Sequence, residues 1–255
     1  MFDLLLIGIG TGNPEHLTLQ AIKALNSADL ILIPRKGADK ADLAELRRTI
    51  CADVVTNATT RIVEFDLPRR DQDNPDYRRG VDDWHDAIAG VWSNTIKSEL
   101  SGGGTVALLV WGDPSLYDST LRIAARLTPA PRVRVIPGIT SIQALTASHA
   151  IPLNEIGAPL LVTTGRQLRD DGWPAGVDTL VVMLDGDCAF QHLDPADVTI
   201  WWGAYVGMPQ EIILAGPLAE TGPQIVKARA EAREKAGWIM DVYLLRRTNG
   251  DREQR

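Results

Sequence analysis

The chain has 255 residues, 45% of them hydrophobic and 23% charged, enough for one large α/β domain or two small ones. A formal charge of −7 argues against a general nucleic-acid or membrane-surface binder, which would present a net basic face. Small anionic ligands stay open, because a pair of arginines holds a carboxylate on an acidic protein.

Taken in chain order, the sequence predicts a strand at 4–10 (LLLIGIG), a helix near 18–27, a strand at 30–34, a helix near 39–50 and a strand at 60–65. A helix near 82–100, a strand at 105–111, a helix at 119–127, a strand at 132–138 and a helix from Ser141 to His149 follow. Thr18 is placed as N-cap of the first helix, with Leu17 and Ile22 spaced as a hydrophobic staple. These strands are almost continuously apolar, as strands covered on both faces are, and their alternation with helices predicts a parallel sheet. The opening MFDLLLIGIG has no basic n-region, and no apolar run approaches the roughly 18–20 residues of a membrane span, so a soluble, cytoplasmic protein is expected. Cys51 and Cys188, far apart and without a CxxC, read as reduced, mostly buried thiols.

After Ile151-Pro152-Leu153 the rhythm changes. Strands at 159–165, 179–184, 199–206, 210–216 and 238–247 crowd together with a single helix near 222–236, which predicts hairpins and a mixed sheet. A linker near Asn154–Ala158 then separates two α/β domains, 1–155 and 156–255. The loop at 66–82 is the candidate mobile segment. Its Arg69, Arg70, Arg78 and Arg79 lie among Asp66, Asp71, Asp73 and Asp76, which reads as local ion pairing on a solvated loop.

Five Gly or Pro turns follow the carboxyl ends of apolar strands: Gly8–Pro14, Trp111–Pro114, Pro137–Ser141, Thr163–Arg166 and Asp185–Asp187. Open α/β sheets bind ligands there, so the five are expected to line one interdomain cleft. The first is no dinucleotide fingerprint, since the residue three after Gly10 is Asn13 and Pro14 follows. No P-loop and no cluster of metal ligands appears. Glycine turns without a phosphate cradle suit a compact, uncharged or cationic ligand held by backbone groups.

The strings GIGTGNPEHLTLQA, VWGDPSLYDST, IPGITSIQALTASHAIPL and VVMLDGD, in this order, resemble the tetrapyrrole (corrin/porphyrin) methyltransferases, from about Asp3 to Arg247. The resemblance implies a two-domain α/β fold with a cleft between the domains, S-adenosylmethionine as cofactor and a homodimer. It implies cofactor contacts from Trp111, Gly112, Asp113 and Leu116, from Thr140 and Ser141, and from Met183 and Gly216. Gly10, Gly12 and Tyr117 would face the substrate, and Arg166 would meet one of its carboxylate arms. WGDPSLYDST, VDDWH, WWGAY and GWIMDVYLLRR resemble the branch that methylates precorrin-5 at C-1 and expels acetate on the aerobic route to cobalamin. The chain departs from the wider pattern at Thr11 and Asn13, usually Pro and Asp, and at Asp118, usually Gly.

Acyl hydrolysis benefits from a general base. By type the candidates are Asp118, His85, His149, Asp185 and Asp187, with Asp118 preferred. Asp118 equally suits the N-cap of helix 119–127, and the two roles are compatible. His85 reads as a surface or satisfied histidine, His149 as a partner of a helix C-terminus, and Met183, without the resemblance, as core. Trp201 and Trp202 read as core or interface aromatics. Two alternatives stay open: a methyltransferase with another target, and a non-catalytic corrinoid carrier, which would need no cofactor pocket. The acidic charge disfavours RNA as that other target.

Overall fold

In β1 (Asp3–Gly8) successive side chains enter two different apolar clusters. Leu4 and Leu6 pack with Ile88, Trp92 and Ile96, whereas Leu5 and Ile7 pack with Ala21, Leu25, Ile50 and Cys51. Both faces are therefore covered, and the strand is apolar without alternation. The computed structural model describes residues 2–35, 41–71 and 76–247. Two units divide the chain, Met1–Thr140 and Ser141–Arg255.

The first unit continues through α1 (Leu19–Asn26), β2 (Leu30–Arg35), α2 (Ala41–Val54), β3 (Arg61–Asp66), α3 (Tyr77–Glu99), β4 (Thr105–Val110), α4 (Thr120–Ala124) and β5 (Arg132–Ile136). Its five strands are all parallel, in the order β3-β2-β4-β1-β5. Helices α1 and α2 cover one face and α3 and α4 the other. From β1 the chain crosses β4 to reach β2, while from β4 it crosses β1 to reach β5. The connections diverge at the β1–β4 pair, the topological switch point where open sheets bind ligands.

Thr18 caps α1 as expected, its Oγ1 accepting from Ala21 N at 3.0 Å. Helix α3 begins earlier than 82, because Asp76 accepts from Arg79 N and supplies the cap inside a charged stretch. The predicted loop 66–82 is therefore partly helix. Its residues 72–75, with Asp73, and residues 39–40 of the predicted second helix lie outside the described residues. Asp66 pairs with Arg35 of the neighbouring strand, at 2.9 Å, rather than within its own loop.

The second unit runs α5 (Ser141–Ser148), β6 (Leu160–Thr164), α6 (Gly165–Asp171), β7 (Thr179–Met183), β8 (Val198–Ala204), β9 (Ile212–Pro217), α7 (Leu218–Ala236) and β10 (Asp241–Arg247). Its sheet is mixed, in the order β6-β7-β10-β8-β9, with only β6 and β7 parallel. Ile225 and Ala232 of α7 pack on Trp202 of β8 and on Tyr243 and Leu245 of β10. The division between the units falls before α5, not at 155/156 as the sequence suggested. Helix α5 packs on β8 and β10, and Arg246 binds the carbonyls of Pro152 and Leu153 at 3.0 and 3.2 Å and Glu155 at 2.7 Å. Trp202 is fully buried, while Trp201 lies under Arg246, 5.3 Å from its ring centre. Both cysteines are free and buried, and burial pushes their thiols up to about 11. Among the described residues no helix is long and apolar enough to cross a membrane.

Candidate active site

Three loops meet at the carboxyl end of the first sheet, after β1, β4 and β5. Gly10 and Gly112 exchange backbone hydrogen bonds, Gly112 N to Gly10 O at 2.8 Å and Gly10 N to Gly112 O at 3.3 Å. Asp113 joins the third loop by accepting from Gly138 N at 2.9 Å through Oδ2. Through Oδ1 it accepts from Ser115 N at 2.8 Å and Ser115 Oγ at 2.5 Å. Burial works against the charge of this carboxyl, but the Ser115 and Gly138 donors prevail and hold it below the usual range. The Asp-Pro turn is thus a tie between loops.

Glycine is required where these backbones cross. A Cβ at Gly138 would stand 2.1 Å from the carbonyl oxygen of Gly112, closer than atoms approach. Gly112 itself takes φ +63°, and its open side meets nothing nearer than the Cα of Thr140 at 4.0 Å. That leaves room beside the buried Gly112 backbone, whose N–H and carbonyl are already paired with Gly10, for close approach by a compact ligand at the switch point. In the first loop Asn13 caps a short 3-10 turn (Pro14–His16) by accepting from Glu15 N at 2.9 Å. Thr11 is buried and bonded to Nδ1 of His16 at 3.1 Å. Both departures from the wider pattern are thereby used in local structure.

Tyr117 is 44% exposed in a left-handed conformation, φ +48°, and burial of the rest of the ring raises its phenol. Asp118 does not occupy the N-cap of α4. That position is Ser119, which makes no side-chain cap bond. One residue earlier, Asp118 Oδ1 accepts from Thr120 N at 2.6 Å and from the Thr120 hydroxyl, and its carbonyl accepts from Arg122. This is an Asx-type turn feeding the helix. Sequence reading passed over Arg47 of α2. Its Nε donates to Leu109 O at 3.1 Å, beyond the last β2–β4 pair at Leu108, and its charge interacts with Asp118. Burial pulls this guanidinium down to about 10, with the Asp118 charge opposing. An arginine inside an otherwise ordinary helix gave no distinguishing signal.

The other base candidates separate cleanly. His149 follows α5 and meets Trp202 O through Nε2 at 3.1 Å. His85 corrects its reading as surface or satisfied: it is 2% exposed, and among the described residues neither ring nitrogen has a hydrogen-bond partner. Asp187 faces Arg169 at 3.4 Å on an exposed turn. Asp185 is buried, accepting from Asp187 N at 3.0 Å, Ala189 N at 2.7 Å and the Tyr243 hydroxyl at 2.6 Å. Of the other residues singled out, Trp111 and Leu116 are half-buried on the β4 loop, and Thr140 ends the first unit. Ser141 begins α5, Arg166 is exposed on α6, Met183 ends β7, and Gly216 pairs with Ile200 across β8 and β9. Gly10 and Gly12 have positive φ in the first loop. The described residues hold no group of three His, Cys, Asp or Glu side chains able to bind a metal ion.

A parallel doubly wound unit with glycine loops at its switch point, followed by a mixed-sheet unit, defines a class, and the comparisons agree. Residues 3–222 match the family model Tetrapyrrole (Corrin/Porphyrin) Methylases, and the chain belongs to that family. Within it, the chain is 53% identical over 251 residues to a precorrin-6A synthase [deacetylating] from Sinorhizobium sp, covering 97% of this chain and 96% of that one. A crystal structure of a putative cobalamin synthesis related protein (CobF) from Corynebacterium diphtheriae superposes with TM-score 0.82 at 38% identity, covering 98% of this chain and 100% of the other. A uroporphyrin-III C-methyl transferase from Thermus thermophilus, complexed with S-adenosyl homocysteine, shares the fold at TM-score 0.56 and 20% identity, covering 95% of this chain and 96% of that one.

Proposed function

We propose that this chain is a precorrin-6A synthase, methylating precorrin-5 at C-1 with release of acetate to give precorrin-6A. The observation that carries the reading is the loop lock at the β1–β4 switch point, where Asp113 and Gly138 join the strand ends and space is left on the Cβ side of Gly112. The near-full-length likeness to a relative of that activity supports it. Bound S-adenosylmethionine would supply an electrophilic methyl group, transferred to C-1 as its carbon–sulfur bond breaks.

The chain's own groups orient and hold. Trp111, Gly112, Leu116 and Thr140 offer backbone and apolar contacts to the cofactor, with Asp113 fixing their loop. Ser141, Met183 and Gly216 of the second unit contribute to the same task. Gly10, Gly12 and Tyr117 meet the macrocycle, and Arg166 one of its carboxylates. Fixing two reactants at near-attack distance supplies effective molarities of about 10⁵ M or more. For the second event, Asp118 takes a proton from water as its oxygen bonds to the acetyl carbonyl carbon. The ring-to-acetyl bond then breaks, its electron pair stays with the macrocycle, and acetate leaves. The setting is the cytoplasm and the assembly a homodimer, which light scattering checks.

Two measurements test the reading. Calorimetry with S-adenosylhomocysteine should show binding, and its absence would favour a carrier. Incubation with precorrin-5 and methyl-labelled cofactor should give a labelled product that has lost acetate by mass spectrometry. Methyl gain without acetate release would move the target to another ring carbon.

A further inference from the structure

The turn after β7 contains two non-glycine residues in left-handed backbone, Leu184 at φ +53° and Cys188 at φ +57°. Leu184 is also 66% exposed, a large apolar side chain held outward in a conformation that glycine takes freely and leucine does not. Such backbone persists only where the surroundings fix it, and it concentrates at ligand sites.

What fixes this turn is a polar network inside the second unit. The Asp185 carboxylate accepts from Asp187 N and Ala189 N, spanning the interval between the two left-handed residues. Its third donor is the Tyr243 hydroxyl, from the middle of β10. The backbone carbonyl of Asp185 accepts from Arg229 of α7 at 2.8 Å. Arg229 is in turn fixed at 2.9 Å to Asp241, which also accepts from Trp202 Nε1 at 2.9 Å. Gly165 closes the remaining side, since a Cβ there would stand 2.4 Å from the Asp185 carboxyl. The Tyr243 ring is itself locked edge-on against Phe190 at 5.3 Å.

We infer that Tyr243, acting through Asp185, is a positioning residue for cofactor binding: it holds the Met183–Leu184 turn in the left-handed shape that presents Leu184. The inference rests on the proposed use of Met183 as a cofactor contact. Tyr243 touches no reacting atom, so its replacement should weaken cofactor binding and leave the chemical step and the macrocycle site intact. Burial and the Asp185 charge both raise the Tyr243 phenol, so it stays a hydrogen-bond donor throughout the working range.

The experiment compares Tyr243→Phe in two backgrounds, the natural chain and Leu184→Gly, by calorimetry with S-adenosylhomocysteine and by steady-state kinetics. In the natural background the Kd for S-adenosylhomocysteine should rise about tenfold, a difference of about 1.4 kcal/mol. The KM for S-adenosylmethionine should rise with it, while kcat at saturation and the KM for the tetrapyrrole hold. In the Leu184→Gly background, where the turn needs no enforcement, the same replacement should change Kd by less than about twofold. Equal fold-changes in both backgrounds, or no change in the natural one, would overturn the inference and leave Tyr243 as packing. Should Tyr243→Phe fail to fold, Leu184→Gly alone decides: relief of an enforced conformation raises Tm, and a lowered Tm overturns the inference. A natural chain that binds no S-adenosylhomocysteine removes the functional reading itself, and this inference with it.

Discussion

Asp113 shows how little a residue's type says about its task. An Asp-Pro pair after a strand reads as a turn start or a ligand acceptor, yet the carboxylate spends three acceptor positions on Ser115 and Gly138. Hydrogen bonds to a charged group contribute about 1.5–3 kcal/mol each, and orphaned donors lose their solvation. Asp113→Ala should therefore lower stability by about 2–4 kcal/mol in denaturant unfolding at neutral pH. Because the folded carboxyl lies below its ordinary value, this contribution is complete above about pH 4 and is lost as pH falls through the folded value. The gap between Asp113→Ala and the natural chain should accordingly narrow in strong acid. Asp185 makes the parallel case in the second unit, where a candidate base turns out to hold a loop. Residue type and position alone do not separate these carboxylates from Asp118, since each follows a strand in a polar turn; the preference for Asp118 rests on its standing where the wider pattern has Gly. Tyr243 was invisible for the opposite reason: it sits among apolar residues of β10, and its hydroxyl finds a partner 58 positions away.

At the scale of elements, legibility followed burial. The central strands β1, β2 and β4 were readable because strands covered on both faces need long apolar runs, the clearest pattern a sequence carries. The more exposed β3, β5 and β9 were readable from their β-branched residues. The parallel and mixed sheets were readable from the spacing of the same runs. Helix α6 was missed, because seven residues reading GRQLRDD show no apolar period. Helix α7 begins at Leu218 rather than near 222, and Pro223 lies inside it. The positions of glycines were visible, but the close approaches they serve were not. Gly138 and Gly90 give a paired prediction. Gly138→Ala drives a methyl group into the Gly112 carbonyl, so it should break the loop lock and abolish S-adenosylhomocysteine binding in calorimetry. Gly90 lies exposed within α3 with nothing within 4 Å of a new Cβ, so Gly90→Ala should raise stability by about 0.5–1 kcal/mol and leave binding unchanged.

At the scale of the whole molecule, pH selects among these groups, and His85 decides the middle of the range. It is buried on α3 in the first unit, with Trp84 beside it at 5.7 Å between ring centres. Arg126 spans Asp82 and Asp86 close by. Burial, reinforced by Arg126 and Arg122 against Asp82 and Asp86, lowers the affinity of the ring for a proton. A histidine with a lowered folded value adds most stability above its unfolded pKa of about 6.5. As pH falls below that point the unfolded chain takes up a proton that the native ring resists, so stability declines until the folded value is passed. Thermal unfolding of the natural chain should therefore show Tm falling between pH 7 and pH 5, well before carboxylates such as Asp113 titrate. Replacing His85 with Leu removes two buried nitrogens that have no partner among the described residues, so at pH 8 it should be near neutral or stabilising. The same variant should flatten the fall between pH 7 and pH 5. If it keeps that fall unchanged, the acid sensitivity belongs to another group. The location gives the effect a functional edge, because α4 continues directly from Tyr117 and Asp118: loosening of α3 against α4 in mild acid would reach the proposed substrate loop first.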